Sequence, residues 1–212
     1  MPCRSHPRTG PHPAPCPRAA QLFRASDAAY APLAAARVVA ILAERCADRD
    51  GPTRKFAAFA VGNAAFHSSA LYAELAAAIP ALVHRLRDDD ARARANAAGA
   101  LGNLARNADS LVGELTRHGA PAALLALARS ALDEAAGEAA GSAPADEERL
   151  APARIALFAL GNLATHRAAH AALKELRLDE LVSAAEPVGD ATYLKYARRV
   201  VAKLDGGGEG GR

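Results

Sequence analysis

The chain has 212 residues, enough for one domain or a short repeat array with a substantial core. Hydrophobic residues make up 51% of the sequence, yet only 4% are aromatic and none is Trp, so alanine supplies most of the apolar surface. This composition favours closely packed helices and argues against a β-sheet or a large ligand pocket.

The formal net charge of +3 is unevenly placed, because residues 1–24 contain several Arg and no acid. The remainder is nearly neutral, which argues against nucleic-acid binding. Cys3, Cys16 and Cys46 lack paired spacing, so we expect a reducing, cytoplasmic compartment and neither a disulfide framework nor a metal or cofactor site. The longest apolar stretch is about half of the roughly 20 residues that span a bilayer, so we expect no membrane association.

In chain order, residues 1–25 read as a disordered Pro/Arg tail, 26–205 as a helical repeat domain and 206–212 as a flexible Gly-rich end. The first predicted helix covers 31–46, with no clear short helix before it, and the second runs from about 54 to 66. A third helix is expected within 79–90, and further helices at 175–186 and 191–204.

A repeat marker stands at three places, in the sequences FAVGN, ALGNL and FALGN. The step from Gly62 to Gly102 is about 40 residues, a period typical of helical repeats. The step from Gly102 to Gly161 is longer, and we assign the excess to an acidic Ala/Gly/Pro insertion at about 130–151, predicted to be a disordered excursion. The array is then three repeats followed by a degenerate fourth copy that caps it.

The apolar stripe of the second copy continues across its Gly-Asn pair, so the glycine is expected inside a helix near its last turn. A helical glycine costs about 1 kcal/mol relative to alanine. Its recurrence at one repeat position predicts that a neighbouring helix approaches too closely for a methyl group.

The asparagines form the second part of the marker. Residues four positions earlier share the same helix face. The candidate binding groove is therefore Phe59, Asn63, Gly99, Asn103, Phe158 and Asn162. A row of amides beside aromatics suits the backbone of an extended peptide. Alternatively, each Asn ties down the loop at its own helix end, and the two roles are compatible.

A unit of about 40 residues whose last helix ends in this way resembles the armadillo repeat. The resemblance implies an all-α, right-handed α-solenoid that binds a protein or extended peptide along a concave face. Asn63, Asn103 and Asn162 match the family's asparagine position, whereas Phe59, Gly99 and Phe158 occupy its tryptophan position.

Residues 54–113, beginning RKFAAFAVGNAAFHSSALY, resemble the C-terminal armadillo region of Fused-type serine/threonine protein kinases. That resemblance implies a scaffold in signalling, in a cilium or in the cytoskeleton, with kinesin-like partners. The chain contains no Gly-rich phosphate loop, His-Arg-Asp or Asp-Phe-Gly motif, so no enzyme activity is expected. The alternative is a fragment of a longer kinase; otherwise a monomer is expected.

Three other patterns allow catalytic or metal-binding interpretations. His166 and His170 have metal-ligand spacing but no third ligand, so exposed surface histidines are expected. The acidic run at 88–90 is expected to be a solvated loop, and Ser68 and Ser69 beside His67 are not a catalytic pair. A HEAT-like bilin lyase is a further alternative, although repeats in that class are shorter than the step from Gly62 to Gly102.

Overall fold

The computed structural model describes Phe23, Ala28 and residues 30–66, 69–106, 109–138 and 147–206. Within these residues the chain forms α-helices and short 3-10 turns and no strand, in four successive three-helix units. The first two units contain α1 (Tyr30–Ala35), α2 (Val38–Arg45), α3 (Gly51–Ala64), α4 (Tyr72–Leu75), α5 (Ile79–Arg85) and α6 (Ala91–Arg106). The last two contain α7 (Asp109–Arg117), α8 (Ala120–Glu138), α9 (Glu147–Leu163), α10 (Arg167–Lys174), α11 (Leu178–Ala185) and α12 (Ala191–Asp205).

The third helices form the spine of the stack, because α3 packs on α6, α6 on α9 and α9 on α12. One continuous cluster of buried Ala, Leu, Val and Ile side chains runs through all four units. The predicted all-α, right-handed solenoid is confirmed. The fourth copy has all three helices, so the cap predicted from its degenerate sequence is structurally complete.

Aspartates fix where three of the spine helices begin. The side chains of Asp50, Asp90 and Asp190 each accept the backbone N–H of the residue three positions later, at 2.8, 2.9 and 2.6 Å. Such a bond satisfies one of the N–H groups that a helix leaves unpaired at its first turn. The start of α9 follows the segment 139–146, which lies outside the described residues.

The prediction of one helix over 31–46 is wrong, because Arg37 adopts a left-handed conformation with φ of 57° and separates α1 from α2. The first unit therefore has the short first helix that its sequence did not reveal. Arg177 and Gly119, with φ of 51° and 73°, directly precede α11 and α8 in the same way. A positive φ is unfavourable for side chains other than glycine, so the pattern of helix formers conceals this turn.

Part of the predicted N-terminal tail is ordered against the core. Phe23 is fully buried, and its ring meets that of Tyr30 edge-on with centroids 5.7 Å apart. The other residues predicted to form the tail, and residues 207–212, lie outside the described residues. The predicted domain boundaries at 26 and 205 stay predictions.

The predicted disordered insertion is largely helical where the structure describes it. Helix α8 continues to Glu138 and α9 begins at Glu147. Ala131 and Leu132 are buried and extend the apolar stripe of Leu124 and Ala128, which explains why the helix continues. The extra length thus gives α8 19 residues, compared with 7 for α5.

No helix in the described ranges combines the length and the apolarity that crossing a bilayer requires.

The glycine of the marker lies against the backbone of the next spine helix in two of three cases. A Cβ on Gly102 would lie 3.0 Å from the Ala159 Cβ and 3.1 Å from its Cα, and one on Gly62 would lie 3.4 Å from the Ala100 Cα. A Cβ on Gly161 would meet only the end of the Val200 side chain, at 3.8 Å. The predicted exclusion of a methyl group is therefore confirmed at Gly102. It is wrong at Gly62, where the nearest atom lies at an ordinary van der Waals distance, and at Gly161, where a valine faces the glycine.

Two glycine-to-alanine variants should have opposite effects on stability. Gly102→Ala forces the backbones of α6 and α9 apart and should lower the free energy of unfolding by about 1–3 kcal/mol. Gly113→Ala is the matched control, because a Cβ there meets no atom within 4 Å. It should raise stability by about 0.5–1 kcal/mol through helix propensity alone. Urea denaturation measures both, and a neutral or stabilising Gly102→Ala would contradict the close approach.

Candidate partner-binding face

The exposed side of the four spine helices forms one surface, which we call the third-helix face. Residues at equivalent positions of α3, α6, α9 and α12 line up across it in rows. One row consists of Phe59, Gly99, Phe158 and Arg199, and the next of Asn63, Asn103, Asn162 and Lys203. The structure thus places the six predicted site residues at equivalent positions of three consecutive spine helices, with Asn162 buried, and adds the fourth unit to each row.

In each unit after the first, a side chain of the asparagine row donates a hydrogen bond to the glycine carbonyl of the preceding unit. The distances are 2.9 Å from Asn103 Nδ2 to Gly62, 3.0 Å from Asn162 Nδ2 to Gly102 and 2.7 Å from Lys203 Nζ to Gly161. The amides therefore tie consecutive units together, whereas the sequence suggested a tie within each asparagine's own unit. A contact of this row with a partner stays a prediction, and Asn162 is only 6% exposed.

The ends of the helices explain why the glycine carbonyl accepts these bonds. Phe66 donates its backbone N–H to the Asn63 carbonyl, three residues back, at 3.2 Å. Thr165 does the same to Asn162 at 3.2 Å. In an α-helix these N–H groups would instead bind the carbonyl four residues back, which is Gly62 or Gly161. The tightened last turn leaves those two carbonyls to a partner from outside the helix. The neighbouring unit supplies that partner.

The asparagine backbone also anchors the short first helices. The Tyr72 hydroxyl lies 2.8 Å from the Asn103 carbonyl and 3.1 Å from that of Ala65, so it spans the ends of α6 and α3. Tyr30 reaches the Asn63 carbonyl at 3.5 Å in the first unit. The Gly-Asn pair therefore organises both the spine and the helix packed beside its end.

Ion pairs join consecutive units towards the amino-terminal ends of the spine helices, away from the Gly-Asn pairs. Asp88 is 7% exposed and receives Arg54 Nε at 2.9 Å and Arg85 Nη1 at 3.0 Å. Lys55 binds Asp90 at 3.0 Å, and Arg154 binds Asp190. The expectation of a solvated acidic loop at 88–90 is therefore wrong at Asp88, which is buried between two Arg. The Asp90 side chain stays 42% exposed, although it pairs with Lys55 of the neighbouring unit. Burial raises the pKa of Asp88, but the hydrogen bonds from Arg54 and from a backbone N–H outweigh it and leave that pKa below its usual value.

Large apolar side chains remain accessible on the third-helix face. Phe59 is 40% exposed and Phe66 46%, the latter beneath the Arg106 guanidinium at 5.2 Å from the ring centroid. Phe158 meets Tyr196 edge-on with centroids 6.0 Å apart. Side chains of α9 and α12 line an open pocket of about 420 Å³ there, formed by Ala151, Arg154, Ile155, Phe158, Thr192 and Tyr196.

Sequence reasoning missed Ile155 and Tyr196, which hold equivalent positions in consecutive units. The step that leads from Asn162 to Lys203 also leads from Ile155 to Tyr196, so applying it to the other positions of α12 would have found this pair. The degenerate pattern of the fourth copy indicates only a cap, so the sequence alone predicts no groove residue on α12.

The two histidines of the HRAAH segment bind backbone carbonyls. His166 is within 2.6 Å of the Ala105 carbonyl and 2.7 Å of an Asp109 carboxylate oxygen, and His170 is 2.9 Å from the Ala164 carbonyl. Both rings are half-buried at junctions, so the expectation of exposed surface histidines is wrong. No cluster of three metal-ligating side chains occurs in the described part of the chain. His67 and Ser68 lie outside the described residues.

Comparisons with known proteins agree with this repeat architecture. A family model of HEAT-like repeats matches residues 51–104, which span α3 to the end of α6. A search of the curated proteins gave no match.

Solved structures show the same fold. An engineered protein superposes with a TM-score of 0.69 at 21% identity over 88% of this chain, which spans only 42% of that protein. A designed armadillo repeat protein superposes with a TM-score of 0.54 at 20% identity, over 88% of this chain and 90% of its own length. Another, in complex with the peptide (KR)4, has a TM-score of 0.54 at 18% identity, with 88% and 90% covered.

Replacing Asn103 should test the bond between units. Asn103→Ala removes the donor to the Gly62 carbonyl and should lower the free energy of unfolding by about 0.5–1.5 kcal/mol. Asn103→Asp keeps the shape but sets a carboxylate against that carbonyl, so it should be less stable than the Ala variant. Urea denaturation with circular dichroism gives the order, and wild-type stability in the Asp variant would contradict the bond.

Proposed function

We propose that this chain is a non-catalytic protein-binding scaffold that holds an extended segment of a partner along the third-helix face. The carrying observation is that apolar side chains on α3, and just after it, remain exposed where four helices align. Phe56, Phe59 and Phe66 are 37%, 40% and 46% exposed. Exposed apolar side chains concentrated on one helix of a soluble domain are typical of interaction sites.

The repeat architecture supports this proposal without naming a partner. A solenoid presents equivalent positions at regular intervals along one face, which suits a ligand with the regular spacing of an extended chain. One designed armadillo repeat protein with this fold has a peptide bound. Its low identity to this chain means that the fold alone is shared.

A second candidate rests on the residues at 54–113. Their resemblance to the Fused-type kinase tail favours a role in signalling, in a cilium or in the cytoskeleton, with a kinesin-like partner. In that case the phosphoryl-transfer domain belongs to a longer chain. The genomic sequence upstream of Met1 distinguishes the two candidates, since a continuous reading frame with His-Arg-Asp and Asp-Phe-Gly motifs would favour the kinase tail.

The scaffold proposal predicts different effects for two exposed apolar residues. Peptides are first selected on the full chain from a random display library, and their dissociation constants are then measured by fluorescence anisotropy. Phe59→Glu should weaken the selected peptides by about tenfold or more, because it places a charge among the apolar contacts.

Ile41→Glu is the matched control, because Ile41 is 48% exposed but lies on the second helix α2. Its peptides should bind within about twofold of wild type, a difference well under 1 kcal/mol. Equal losses in both variants, or a loss at Ile41 alone, would place the binding surface elsewhere.

A further inference from the structure

Charge is distributed unequally between the layers of the solenoid. Helices α3 and α6 contain Lys and Arg but no acidic residue, and the only acid of α12 is Asp205 at its end. Helix α9 begins with two Glu, which its two Arg balance. The second helices α8 and α11 instead carry several acids, namely Asp133, Glu134, Glu138, Asp179 and Glu180. The near-neutral total therefore conceals a basic third-helix face and a more acidic second-helix layer.

The basic character is concentrated on α12. Lys195, Arg199 and Lys203 follow one another at intervals of four residues, so they lie on one side of the helix. Lys195 and Arg199 are exposed, whereas Lys203 is half-buried on the Gly161 carbonyl. Burial lowers the pKa of Lys203, and the positive charge of the neighbouring Arg199 lowers it further.

The nearest acid at the start of this helix is already engaged. Asp190 binds Arg154 of α9, with Arg154 Nε 3.2 Å from its Oδ1, and also caps α12. Arg198, next to Arg199 in the chain, pairs with Glu186 at 3.3 Å. Among the described residues no ion pair of Lys195 or Arg199 occurs, so within this part of the chain both charges face along the third-helix face.

An apolar pocket adjoins this row of cations. The 420 Å³ space between α9 and α12 is walled by Phe158, Tyr196 and Ile155, and Tyr196 is the chain neighbour of Lys195. Arg199 occupies the position of α12 that Phe158 occupies in α9. Arg199 is thus one repeat step from Phe158 of the pocket, and Lys195 directly precedes Tyr196 in the chain. One short peptide segment can therefore reach the pocket and both cations.

We propose that the partner is an extended acidic segment that inserts a large apolar side chain between α9 and α12 and pairs its carboxylates with Lys195 and Arg199. This inference rests on the proposed scaffold function and names its ligand class. Carboxylates complement the two cations, and an aromatic or large aliphatic residue complements the pocket. The expected preference is opposite to that of the designed protein with bound (KR)4.

A protein ligand fits this surface better than a nucleic acid does. The row from Lys195 to Lys203 spans eight residues of helix, or about 12 Å, which matches a few carboxylates rather than a long phosphate track. The adjacent recess is walled by aromatic and aliphatic side chains, which receive an apolar side chain. A nucleic acid remains a distinct outcome of the experiment.

The experiment uses the full chain and four fluorescent probes. The first is a nine-residue peptide of Glu and Ser with a central Phe, and the second replaces that Phe with Ala. The third replaces every Glu with Lys, and the fourth is a single-stranded oligothymidine. In 50 mM salt the first peptide should bind, the Ala peptide about fivefold more weakly and the Lys peptide not measurably, with affinity falling as salt rises.

Charge reversal then locates the site. Arg199→Glu and Lys195→Glu should each weaken the acidic Phe peptide by about tenfold. The matched controls are Arg167→Glu and Lys174→Glu, exposed cations on α10 of the same unit, which should change binding by less than about twofold. Thermal unfolding checks that each variant is folded, and Arg199→Gln, which removes the charge without reversing it, should give an intermediate loss.

Each other outcome overturns the inference in a recognisable way. Binding of the Lys peptide that Phe59→Glu weakens would retain the scaffold function and reject an acidic partner. Tighter oligothymidine binding that displaces the acidic peptide would favour a nucleic-acid ligand. If no peptide binds, or if the α10 controls weaken binding as much as Arg199→Glu does, the pocket and the α12 cations are not the site.

Discussion

The structure depends on the contact between consecutive spine helices, where a glycine and a side-chain amide act together. The glycine lets the next helix approach, and this approach brings the Asn103 amide within reach of the Gly62 carbonyl. A side chain at Gly102 would push α9 away and lengthen the next bond in the series, from Asn162. At Gly102, close packing and a satisfied carbonyl are therefore one constraint rather than two.

This constraint changes what the asparagine row can offer a partner. One amide hydrogen of Asn103 and one of Asn162 are used in stacking, so the proposed recognition of a partner relies more on the aromatic row beside them. The last unit meets the same need with a cation, since Lys203 takes the place of an asparagine. Substituting Lys for Asn preserves the stack and at the same time adds charge to the third-helix face.

The sequence predicted the features that the Gly-Asn marker identifies and missed others, some of which also repeat from unit to unit. The Gly-Asn period specified the solenoid, the spine helices and the surface shared by Phe59 and Phe158. It did not reveal the ion pairs of Asp88, because sequence spacing does not show which cation of the preceding unit faces a carboxylate. The positive φ of Arg37 was hidden as well, because a helix-forming residue gives no sign of a left-handed turn. The long α8 was missed because its acidic, Gly-containing end resembles a disordered segment.

The ends of a repeat array differ physically from its middle, and this difference bears on function. An internal spine helix is covered on both sides, so its polar side chains are mostly committed to neighbours. Among the described helices, α12 packs on a single spine neighbour, α9, and its cations Lys195 and Arg199 are exposed beside the pocket that α9 completes. Charge there disturbs no stacking contact, whereas the same charge in α6 would have to be paired. In the proposed scaffold, the sequence of α12, which breaks the repeat pattern, is thus the described part of the spine with the most freedom to select a ligand.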